Sequence, residues 1–159
     1  MEAKKTIAIL GLEKGVEKAF LDKLANDNRL LIVSENINDC DKASDYISQT
    51  RSEEEVELMD CPKDSCWEAD IIMLWNPSQH KPEHLLRLQS VAIQKIVLIV
   101  LDEEIINLPP FPHSKIVVMI KDLTTGEVII TGEDLEATES IQQLISKTEV
   151  YKIKNTIKH

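Results

Sequence analysis

The sequence predicts an α/β fold: a doubly wound, mainly parallel sheet with helices on both faces and extra C-terminal strands extending it. Three observations lead there. Thr6–Leu10, Leu30–Ser34, Asp70–Trp75 and Lys95–Leu101 are short apolar runs, without the polar alternation of a half-solvated strand, so each is expected to be buried on both faces. Segments with helical spacing separate them, the pattern of a sheet covered by helices. Right-handed crossovers between such strands then put Thr6–Leu10 near the middle of the sheet.

Taken in order, Gly11 ends the first strand, and a helix follows over Lys14–Asn26 with Val16, Ala19, Phe20 and Leu24 on one face. After the second strand, Asp39–Gln49 reads as a short helix with Ala43, Tyr46 and Ile47 turned inward. Val56–Met59 is expected as an edge strand and Lys63–Ala69 as a further turn of helix. Pro82–Ala92 forms a helix that starts with proline at its first position, where the missing N–H costs nothing. Beyond Asp102 come two apolar runs, Ile116–Ile120 and Glu127–Thr131, then a helix over Glu133–Lys147 and a closing strand in "EVYKI". The chain is thus read as a single domain, residues 1–101 forming a nucleotide-binding-like core and 102–159 extending the same sheet. Trp67 and Trp75 flank one strand, and both are expected in the core.

The formal net charge of −10 argues against nucleic acid, whose phosphates need a concentrated basic surface. No apolar run reaches the roughly 20 residues of a membrane span, and the opening "MEAKKTIAIL" lacks the pattern of a secretion signal, so the cytoplasm is the expected compartment. Three cysteines, Cys40, Cys61 and Cys66, give no disulfide framework.

Three stretches carry a resemblance. They are "KKTIAILG…EKAFLDKLA", "ADIIMLWNPSQHKPEHLLRLQ…KIVLIV" and "VIITGEDLEATESIQQLI". Together they cover most of the chain and are similar to the NADP-binding domain of the deazaflavin-coenzyme-dependent NADP reductases and their relatives. The resemblance implies a Rossmann-like fold, a dinucleotide across the C-terminal strand ends, and hydride transfer between nicotinamide and deazaflavin. It places Gly11, Leu12, Glu13, Lys14 and Gly15 at the pyrophosphate turn, Glu35 beside the ribose, and Asn76, Pro77 and Ser78 in a loop that runs past the cofactor.

The residues depart from the G-x-G-x-x-G pattern in a physically specific way. Gly11 suits the tight turn, but the second glycine position falls on Glu13 and Gly15 arrives one residue early. Like unit charges about 4 Å apart repel by roughly 4 kcal/mol at an effective dielectric near 20. A helix N-terminus returns only about 0.3–1 kcal/mol. Lys14 offers a phosphate contact in compensation. Glu35 can accept hydrogen bonds from an NAD ribose but cannot hold a 2′-phosphate. No cofactor is therefore the first expectation, with NAD possible and NADP disfavoured. Asn76-Pro77-Ser78 also reads simply as a turn before the next helix.

Cys61-x4-Cys66-x13-His80-x3-His84 approximates a zinc spacing. A strand of about 20 Å lies between Cys66 and His80, and Pro82 keeps the two histidines from sharing a mid-helix face. No metal site is expected. No serine sits in a G-x-S-x-G elbow, and the catalytic residues are left unassigned. The functional readings are three: a diverged Rossmann module, non-catalytic or weakly cofactor-binding; a small NAD(P)-dependent oxidoreductase subunit completed by a partner; and a coenzyme A-binding domain. A homodimer through the late strands is the expected partner arrangement, with neither nucleic acid nor membrane.

Overall fold

The computed structural model describes residues 4–11, 18–33, 55–59, 61–77, 82–102, 111–122 and 124–154. The strands are β1 (Lys5–Leu10), β2 (Asn28–Val33), β3 (Val56–Met59), β4 (Ile71–Trp75), β5 (Ile96–Leu101), β6 (Lys115–Lys121), β7 (Glu127–Gly132) and β8 (Lys152–Ile153). The helices are α1 (Lys18–Asp27), α2 (Pro62–Glu68), α3 (Pro82–Leu86) and α4 (Leu135–Thr148). The expected helix over Asp39–Gln49 lies outside the described residues.

All eight strands form one sheet in the order β3-β2-β1-β4-β5-β6-β7-β8. Pairing is parallel from β3 through β6, and β7 joins antiparallel. The order reverses between β1 and β4, the switch point at which doubly wound sheets open a crevice beyond their carboxyl ends. The fold is Rossmann-like α/β, with the late strands extending the sheet and Val56–Met59 at its edge.

Period-2 alternation divides each central strand between two cores. Ile7 and Ile9 meet Phe20 and Leu24 of α1 and Ile141 and Ile145 of α4 on one face. Ala8 and Leu10 meet Cys66 of α2 and Leu85 and Leu88, at and just beyond α3, on the other. Because β1 is enclosed by β2 and β4 and covered on both sides, Ile7, Ala8 and Ile9 have no exposed surface. That is why the strand reads as a continuous apolar run.

Several expectations need correction. Ala19 is exposed, and Leu21 and Ala25 join Phe20 and Leu24 as the buried face of α1. Trp67 is 69% exposed. On the short α2 the inward positions go to Ser65 and Cys66, and Trp67 is turned outward, where the Lys95 ammonium lies 5.8 Å from its ring centroid. The Pro82–Ala92 helix stops at Leu86. Leu88, Gln89 and Val91 then donate to carbonyls three residues back, which tightens the chain while keeping Leu88 and Ala92 in the core. In α4, Asp134 rather than Glu133 stands at the start, its carboxylate accepting from the Ala137 N–H at 2.8 Å. Glu149 closes that helix in the left-handed region at φ 58°, so the last strand shrinks to Lys152–Ile153, and Tyr151 turns inward to Phe20 at 5.3 Å between centroids.

Candidate functional site

The carboxyl ends of β1, β4, β5 and β6 converge on the side of the sheet where a doubly wound fold holds its ligand. β1 ends at Gly11, which is buried with φ 100°, a conformation that an L side chain rarely adopts. The parallel register pairs Leu10 with Leu74, so Gly11 stands level with Trp75, about 4.8 Å away in the next strand. Leu12, Glu13, Lys14, Gly15, Glu35 and Ser78 lie outside the described residues. Gly11, Asn76 and Pro77 are the predicted site residues that are described, and Asn76 and Pro77 follow directly on β4.

Asn76 is held in the left-handed region at φ 47° and is 7% exposed. Asparagine tolerates that conformation better than most residues. Among the described residues, three hydrogen bonds hold it. Its backbone N–H donates to the Val100 carbonyl at 2.8 Å. Its Nδ2 donates to Asp102 Oδ2 at 3.1 Å, and Asp102 N–H donates back to Asn76 Oδ1 at 3.1 Å. The side chain thereby ties the end of β4 to the end of β5.

The network continues into β6. Lys121 Nζ lies 3.0 Å from Asp102 Oδ1, and the lysine is only 6% exposed. Its ammonium sits 4.8 Å from the Trp75 ring centroid and 5.9 Å from that of Tyr151. Phe20 packs edge-on against Trp75 at 5.6 Å. A buried ammonium is expensive unless paired, and here a carboxylate and two aromatic faces compensate it. Asp102 and Lys121 escaped the sequence reading. The available signal was parity: Val117, Met119 and Lys121 alternate toward the same face of β6.

The cysteine chemistry lies elsewhere. Cys66 has no exposed surface, and burial pushes its thiol up to about 12, so it carries no thiolate nucleophile at neutral pH. Cys61 precedes α2 without a side-chain cap bond, while His80 and the side chain of His84 are outside the described residues. Among the described residues no three His, Cys, Asp or Glu side chains gather as a metal site, and no helix is long and apolar enough to cross a membrane.

No protein-family model and no curated protein sequence matches the chain. Solved structures do match over nearly its whole length. A UDP-glucose dehydrogenase from the hyperthermophilic archaeon Pyrobaculum islandicum aligns with 95% of the chain at TM-score 0.69 and 9% identity, over 46% of its own length. The Plasmodium falciparum pyrroline carboxylate reductase, with NADP bound, aligns with 96% at TM-score 0.61 and 13% identity, over 58% of its length. A protein assigned as an F420-dependent NADP reductase from Arthrobacter sp. aligns with 95% at TM-score 0.58 and 12% identity, over 83% of its length. The chain thus spans about half the length of the first two, and the likeness is one of fold: the Rossmann fold of NAD(P)-dependent oxidoreductases.

Proposed function

We propose that this chain is a diverged Rossmann module, related in fold to NAD(P)-dependent oxidoreductases, that is non-catalytic or at most a weak binder of a nucleotide cofactor. The observation that carries this reading is the network that joins the ends of β4, β5 and β6. Asn76, Asp102 and Lys121 stand where a catalytic site would aim polar groups at a ligand, yet they engage one another at 3.0–3.1 Å, and Asn76 and Lys121 are almost wholly buried. Glu13 on the pyrophosphate turn and Glu35 at the ribose position support it from sequence, the second against NADP in particular.

A second reading, a small NAD(P)-dependent oxidoreductase subunit completed by a partner, is favoured by Gly11. Its φ of 100° suits the first glycine of a dinucleotide turn. Coenzyme A is a third possible ligand of such a turn. A homodimer through the late strands is supported by one sheet face of β6 and β7, where Ile116, Val118, Ile120 and Ile129 stay partly exposed.

Thermal-shift titration with NAD, NADP, FAD and coenzyme A separates these. A ligand at ten times its Kd adds about 1.4 kcal/mol, worth about 3–6 °C in a chain of this size at roughly 2–4 °C per kcal/mol. The module reading expects no shift with NADP and a small one with NAD that Glu35→Ala removes. A shift of several degrees with NADP sinks it in favour of the oxidoreductase.

A further inference from the structure

The opposite, amino-terminal edge of the sheet holds a cavity of about 560 Å³, within the size range of small-molecule sites. Three elements meet there. Lys5 opens β1, Lys23 lies on α1 one turn before its end, and Lys147 lies in the last turn of α4. All three lysines line the cavity, and Asp27 is the one carboxylate among the described lining residues. Lys5 and Asn28 are register partners in adjacent parallel strands. Ser140 and Gln143 add a hydroxyl and a carboxamide to the wall, and Leu24 and Leu144 supply its apolar part.

The sign of this cavity runs against the rest of the molecule. The chain carries −10 overall, yet three cations against one anion face this space. Four basic groups elsewhere are paired with carboxylates: Lys4 with Glu55, Lys18 with Asp22, Arg29 with Glu57 and Glu68, and Lys121 with Asp102. Lys5, Lys23 and Lys147 form no ion pair among the described residues. A lysine in the last turn of a helix also offsets the helix dipole, which accounts for Lys147. It does not account for Lys5, on a strand, or for Lys23, which precedes the last turn of α1.

We propose that this cavity binds a phosphate-bearing small molecule, its anionic group held by Lys5, Lys23 and Lys147. The site is separate from the crevice at Gly11: the five steps from Lys5 to Leu10 span about 17 Å at roughly 3.3 Å per residue. It therefore stands or falls independently of the cofactor reading.

The test is an amide-resolved NMR titration of the whole chain with inorganic pyrophosphate at low ionic strength, against sodium chloride of matched ionic strength. Saturable shifts centred on Lys5, Asn28 and Thr148, absent with chloride, are expected. Lys23→Ala with Lys147→Ala should weaken the binding at least tenfold and leave the ligand-free melting temperature nearly unchanged, because both side chains are exposed. Single Lys→Gln variants serve if the double variant folds poorly. Shifts confined to Gly11 and Asn76, a response equal to that with chloride, or undiminished binding in the folded variants would each overturn the proposal.

Discussion

Removing the carboxylate of Asp102 tests whether the network at the strand ends is energetically coupled. At 3.0 Å from Lys121 Nζ, the gross attraction is about 5–6 kcal/mol at an effective dielectric near 20, and desolvation of both groups cancels most of it in the intact pair. Breaking a buried pair from one side costs about 3–5 kcal/mol. The Asp102 side chain is 30% exposed, so water screens part of the interaction, while the lost Asn76 bond adds about 1 kcal/mol. Asp102→Ala should therefore destabilise the protein by about 3 kcal/mol. Lys121→Met keeps an unbranched chain against Trp75 and leaves Asp102 bonded to Asn76 and reachable by water, at about 1–2 kcal/mol. The double variant removes both charges and should cost only about 1 kcal/mol more than Lys121→Met alone, for the lost Asn76 bond. Urea unfolding followed by circular dichroism, with the four proteins sharing one m-value, gives the cycle. A coupling energy of at least about 1.5 kcal/mol is expected. Additivity within about 0.5 kcal/mol would refute the coupling and, with it, the view that these groups are held for one another rather than for a ligand.

Cys66 supplies a pH dependence. Its folded thiol, pushed by burial from 9.0 to about 12, stays protonated where the unfolded thiol ionises. Its stabilisation is thus complete below about pH 9 and is lost as pH rises toward 12, at up to about 1.4 kcal/mol per pH unit. Cys66→Ala should start less stable and flatten that alkaline slope; an unchanged slope between pH 9 and 10.5 contradicts the burial argument. For the late strands, sedimentation equilibrium should show a dimer that Ile129→Glu converts to monomer, and a monomer at high concentration in the parent protein removes the interface.

The two-faced burial of β1, β2, β4 and β5 was legible in the chain because it writes itself as unbroken apolar runs, and helical spacing between them implied the parallel, doubly wound order. Local chemistry also marked the edge strand at Val56–Met59 and the proline start of α3. Other features depend on what lies across space. Trp67 carries the same apolar side chain as Trp75, and only the orientation of α2 turns one to solvent while β4 encloses the other. The pairing of Asn76 with Asp102, and of Asp102 with Lys121, joins residues 26 and 19 positions apart, which no local pattern records. The lysine cavity likewise exists because the start of β1 meets the last turns of α1 and α4. Sequence by itself determined the layers and the glycine that ends β1, since those follow from periodicity and backbone freedom. Tertiary structure alone decided which polar groups meet at each end of the sheet, because a charge is placed by its neighbours in space and not by its neighbours in the chain.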